Sequence, residues 1–150
     1  MYNLIMASDV KLLKKEGNED MIVKAAQFTI LVKDQQEAKQ FYTERLGFVV
    51  CSDMEFGPGS RYVTVAPREE NETLFELVKA DTPAQIALIG KQSADQVLVM
   101  FETDDIERDY KEMKERGVAF HGKPATVPGG RGVGFEDLYG NQFDLFQSEE

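Results

Sequence analysis

Two carboxylates stand between large apolar residues on strands. Glu76 lies between Phe75 and Leu77, and Asp144 between Phe143 and Leu145. Alternate strand residues face opposite sides, so each carboxylate points away from its apolar neighbours, into solvent or a cavity. If the two met in an unmetallated cavity, repulsion and desolvation would raise a carboxyl pKa and make one of them a general base. Other reactive side chains are few. His121 is the single imidazole, at a strand end before Gly122-Lys123-Pro124, and its position reads as surface; Cys51 has no activating neighbour in sequence and reads as packing. Arg61 and Tyr62 follow the Gly57-Pro58-Gly59 turn. Alternation turns one of them inward, either Arg61 as an anion clamp or Tyr62 as an aromatic pocket wall. Met54, Phe56, Met100, Phe135 and Phe143 divide between core and the lining of a small-molecule site.

The elements that position these groups repeat. Ala25 to Val32 is rich in strand-favouring residues, and Asp34 with Glu37 forms a capping box opening a helix over about 35 to 46 that stops at Gly47. Strands at Phe48 to Cys51, Arg61 to Ala66 and Thr73 to Val78 complete a β-α-β-β-β unit. Residues 81 to 95 connect, with a helical turn near Ala84 to Ile89. A strand over Gln96 to Thr103, a helix ending before Gly117, and strands at Val118 to His121, Gly132 to Glu136 and Gln142 to Gln147 repeat the order. Asp34 and Gly47 align with Asp104 and Gly117 at an offset of 70 residues, as do Glu37 with Glu107 and Phe48 with Val118. Each unit leaves a sheet face uncovered, and two together can enclose a cavity. The expectation is an α+β fold: tandem βαβββ modules, about 24–80 and 96–147, forming a curved mixed sheet in one domain over 21–150. Residues 1–20 form an N-terminal extension, either a short helix against the body or disordered.

Composition bounds the partners. The 150 residues carry 17 Lys and Arg against 27 Asp and Glu, a formal charge of −10. Nonspecific nucleic-acid binding needs a basic surface, and no stretch approaches the roughly 18 apolar residues of a spanning helix, so nucleic acid and membrane are not expected as partners. One Cys makes no internal disulfide and no export signal is visible, which points to the cytoplasm.

Several segments resemble the vicinal oxygen chelate superfamily of glyoxalase I, extradiol dioxygenases and bleomycin-resistance proteins. They are Phe28 to Asp34 with Ala38, Phe41-Tyr42 through Leu46-Gly47-Phe48, Phe101 to Asp105 with Gly117-Val118, and Asp137-Leu-Tyr-Gly-Asn141 followed by Phe143 to Phe146. The resemblance covers residues 24 to 147. It implies a small organic ligand in a concave pocket, a homodimer, and a divalent metal (Ni, Zn, Mn or Fe) acting as a Lewis acid. Carried across by position, the metal ligands fall on Gln27, on Glu76 (or Leu74, on the same face) and on Asp144. Glu76 and Asp144 also take the catalytic carboxylate roles, and Arg61, Tyr62, Leu98 and Met100 line the substrate pocket. The remaining ligand position falls on Val97 or Leu98, neither of which binds an ion, so the resemblance implies an incomplete metal site. The expected function is that of a superfamily protein acting on or binding a small organic molecule. The alternatives are a divalent-metal lyase or dioxygenase using Gln27, Glu76 and Asp144, and a non-catalytic drug-binding resistance protein.

Overall fold

A computed structural model describes residues 21–149; the reading of residues 1–20 as an extension falls outside them. The first module contains β1 (Gln27–Val32), α1 (Gln35–Gln40) continuing as a π-helical turn (Phe41–Arg45), β2 (Val49–Gly57), β3 (Ser60–Ala66) and β4 (Leu74–Lys79). A connector bearing α2 (Pro83–Ala87) leads to β5 (Val99–Glu102), α3 (Ile106–Glu115), β6 (Ala119–Phe120), β7 (Ala125–Val127), β8 (Gly130–Glu136) and β9 (Gln142–Ser148). The first sheet has the order β1-β4-β3-β2 and the second β5-β9-β8-β6, with β7 beside β8. In each, the first and last strands of the module pair in parallel and the remaining pairs are antiparallel. The repeated βαβββ order is therefore present, as two mixed sheets.

Three boundaries differ from the sequence expectation. β2 runs nine residues to Gly57, because its hairpin with β3 continues past a register shift between Val50 and Ser52. Its counterpart is broken into β6 and β7, the second of which was not expected, with Gly122 to Pro124 in the gap. β5 starts at Val99 because a turn occupies the preceding residues, where Gln96 N–H bonds to Ser93 O.

The helix cap is also displaced by one residue. Asp34 Oδ1 accepts from Glu37 N at 2.8 Å, and in the second module Asp105 Oδ1, rather than that of Asp104, accepts from Arg108 N at 3.1 Å. Asp104 instead pairs with the Arg108 guanidinium. The module offset is thus 71 at the caps and 70 at Gly47 and Gly117. The first helix holds one extra residue, and its π turn, marked by Leu46 N–H bonding to Phe41 O, is where such an insertion is accommodated.

Alternation sends Ile30, Val32, Val63, Val65, Phe75 and Leu77 to the helix side of the first sheet, and Val133, Phe135, Phe143 and Leu145 to that of the second. The two sets form one core. Phe75 stacks on Phe101 across the modules at 5.6 Å, and Phe48 packs edge-on against both. A buried polar cluster also joins the modules. Tyr42, fully buried by the π turn, donates its hydroxyl to Asp137 Oδ2 at 2.6 Å. The same carboxylate accepts from Tyr139 N, Asn141 N and Asn141 Nδ2. Burial, then the Asp137 charge, pushes the Tyr42 phenol well above its ordinary pKa, so it stays a donor. Tyr139 bonds back to Asp34 and Glu37 at the start of α1. The connector packs against Tyr139 so closely that a Cβ on Gly90 (φ +74°) would sit 1.9 Å from the Tyr139 carbonyl oxygen.

Removing a buried acceptor leaves its donors unsatisfied, a large cost. Asp137→Ala is expected to lose about 2–4 kcal/mol in urea unfolding, and Tyr42→Phe, which removes one of the four donors, clearly less. Equal losses would contradict the assignment of Asp137 as the hub.

Candidate functional site

The faces turned away from the helices carry the candidate residues. On the first sheet, Glu76 stands between Thr29 of β1 and Thr64 of β3. Tyr62 OH donates to Gln27 Oε1 at 2.6 Å, and Gln27 Nε2 donates to Glu76 Oε1 at 3.0 Å. Three strands therefore contribute to one chain of hydrogen bonds ending on a carboxylate. Thr64 beside it is fully buried, and its Oγ1 has no hydrogen-bond partner among the described residues. Phe56, two-thirds exposed on β2, lies edge-on to Tyr62 with ring centres 6.4 Å apart.

Arg61 takes the other face of β3. It forks onto Asp53 Oδ1 and Oδ2 at 2.8 Å and reaches Gln36 on α1. Lys39 joins the same carboxylate at 2.7 Å, and Arg61 and Lys39 together hold the Asp53 carboxyl far below its usual range. The guanidinium is thus committed to bracing the β2–β3 hairpin against α1, and the anion-clamp expectation for Arg61 gives way to Tyr62 on the sheet face turned away from the helices, the cup face.

The second sheet carries Asp144, between Met100 of β5 and Gly134 of β8. Asp144 is 7% exposed, and desolvation raises its carboxyl pKa. His121 packs over the same glycine: a Cβ there would lie 3.4 Å from His121 Cδ2 and 3.7 Å from Asp144 Oδ1. His121 Nε2 lies 3.1 Å from Glu136 Oε2. The sequence reading missed this grouping, because His121 reaches it only through β6 pairing with β8, and the signal for it was the run of glycines at 130, 132 and 134. Leu98, just before β5, packs against the core, and Met100 on β5 is 44% exposed. Cys51 is exposed, and its thiol is pushed up by partial desolvation and then by Glu69. It is not an activated nucleophile.

The residues present do not suit a metal held as the sequence reading expected. Gln27 spends its carbonyl oxygen on Tyr62 and turns its amide nitrogen to Glu76. Reversing the amide would set an acceptor against a carboxylate. The position equivalent to Gln27 in the second module is Leu98, which has no donor atom. Among the described residues no cluster of three or more His, Cys, Asp or Glu is arranged to hold a metal ion.

Fold and site together define a tandem βαβββ protein whose first sheet carries a polar hydrogen-bonded chain on the face turned away from the helices. The profile of the Glyoxalase/Bleomycin resistance protein/Dioxygenase superfamily matches residues 24–145, and the chain belongs to that superfamily. Among solved structures it is similar to TnmS3, an antibiotic binding protein from Streptomyces sp. CB03234, at 33% identity and a TM-score of 0.73, covering 87% of this chain and all of that one. It is similar to UcmS2 at 33% identity and a TM-score of 0.74, covering 84% and 98%. YetH of Bacillus subtilis (strain 168) is 35% identical over 125 residues, 83% of this chain and 98% of that protein. No helix among the described residues is long and apolar enough to cross a membrane.

Because the folded-state pKa of Asp144 is raised, the native state holds its proton to higher pH than the unfolded chain does, and stability falls as pH rises from about 3.8 through that raised value. Asp144→Asn should therefore be more stable than the parent at pH 7, with the difference vanishing below pH 3.8. Urea midpoints against pH test this; a parent more stable at pH 7 would contradict it.

Proposed function

We propose that this protein binds a small organic molecule on the concave face of its first module, through a group that donates hydrogen bonds or carries positive charge to Glu76, and that it needs no metal to do so. The observation that carries this reading is the Tyr62 to Gln27 to Glu76 chain, which spends the glutamine oxygen and leaves a carboxylate as the acceptor at its end. Phe56 and Tyr62 supply aromatic surface beside it, suited to a flat or cationic ligand. The net charge of −10 favours encounter with cations. The similarity to a protein described as antibiotic binding supports a binding role over a catalytic one. The metal-dependent lyase and dioxygenase readings are disfavoured by the orientation of Gln27 and by Leu98. We further propose a cytoplasmic homodimer, in which a second copy covers the exposed Met54 of β2.

A second reading, acid–base catalysis, is favoured by the raised Asp144 carboxyl beside the His121–Glu136 pair. Under it, Asp144 would hold or release a proton at a ligand bound across both sheets.

Calorimetric titration with planar aromatic amines and their neutral isosteres separates these readings. The cationic series is expected to bind stoichiometrically and unchanged in EDTA, to weaken about tenfold in Glu76→Gln through loss of a charge-assisted hydrogen bond, and to be indifferent to Asp144→Asn. Binding that requires added Ni or Zn, or turnover lost in Asp144→Asn, would contradict the proposal.

A further inference from the structure

The two ends of the inter-module seam are not equivalent. At one end the connector leading to β5 seals the outer edge of β1: Gln92 Oε1 accepts from Leu31 N at 2.7 Å, and Gln92 Nε2 donates to Thr29 O at 2.9 Å. A side-chain amide thus imitates the next strand. Thr29 pairs with Glu76 as Met100 pairs with Asp144, so the equivalent edge in the second module is that of Met100 and Glu102 on β5. Among the described residues β5 is the outermost strand of its sheet, and a groove of about 910 Å³ opens beside it, lined by Phe28, Phe75 and Phe101.

The segment preceding β1 stands to this groove as the connector preceding β5 stands to the sealed end. Ala25 O accepts from Thr73 Oγ1, and Thr73 lines the groove, so the chain passes its rim. The residues just before, Met21, Ile22 and Val23, are 92%, 83% and 90% exposed. Three consecutive exposed apolar residues next to a strand edge that is unpaired among the described residues, and next to an aromatic floor, are complementary in both respects that strand addition uses, main-chain hydrogen bonds and side-chain burial. Ile22 lies three residues from Ala25, a reach of about 10 Å for extended chain, enough to span from the rim into the groove.

We propose that Met21–Val23 close as a strap along the β5 edge of their own chain, with their side chains over Phe28, Phe75 and Phe101, making the seam symmetric. This surface lies apart from the Gln27–Tyr62–Glu76 chain, and the inference does not depend on ligand binding there.

Two experiments on the full chain test it. Amide hydrogen exchange at Met100 and Glu102 should speed up at least tenfold in the Ile22→Asp/Val23→Asp variant, with β4 amides unchanged. In a Cys51→Ser background, Ile22→Cys with Glu102→Cys should form a disulfide under mild oxidation that leaves the protein running as a single chain in non-reducing gels. Unchanged exchange in the Asp variant, or a crosslink that joins two chains, overturns the proposal; the second result would show strand exchange between copies.

Discussion

The buried bond from Tyr42 to Asp137 is the constraint on which the arrangement of the two modules depends. Asp137 gathers one donor from the first module and three from its own turn, and it is 4% exposed. A carboxylate so placed is tolerable only when its oxygens are filled. Every group that fills them is therefore fixed: the π turn that presents Tyr42, and the Asp137–Asn141 turn that presents Tyr139 to the cap of α1.

The lock explains how an internal repeat became asymmetric without losing its frame. One extra residue in the first helix is absorbed by the π turn, so the exits at Gly47 and Gly117 remain in register for the strands that follow. Arg45 reaches Gly117 and Arg116 reaches Gly47, a reciprocal contact expected of a pseudo-twofold pair. The cup faces then diverged in chemistry. The first holds an ordered amide and carboxylate chain with an aromatic edge. The second sets Asp144 beside Gly134, where desolvation keeps its carboxyl reluctant to ionise.

Much of the fold was legible in the sequence because its signals are local. Asp34, Gly47, Gly117 and the Asp137–Asn141 turn act through neighbouring backbone, and alternation in β3, β4, β8 and β9 sorts core from cup. The cap at Asp105 was misread as Asp104 because two adjacent aspartates satisfy the same pattern, and only the position of the Arg108 amide chooses between them. The site was less legible. Alternation left Arg61 and Tyr62 undecided, and the choice fell to Asp53, which captures Arg61 from across a hairpin whose register shift the sequence does not reveal. Gln27 was placed among the expected ligands by the position the resemblance implies, yet its role is set by which of its two amide atoms meets Tyr62. Such an outcome depends on three strands being brought together and has no local signature.

The central claim, that the first cup is organised by hydrogen bonds around Glu76 rather than around a metal, is tested most directly at the Gln27 side chain. In ¹H–¹⁵N spectra of the protein titrated with Ni²⁺, the account predicts that the Gln27 Nε2 resonances persist at one equivalent, still tied to Glu76. Selective broadening of those resonances at one equivalent, reversed by EDTA, would place the ion on Gln27 and Glu76 and contradict it.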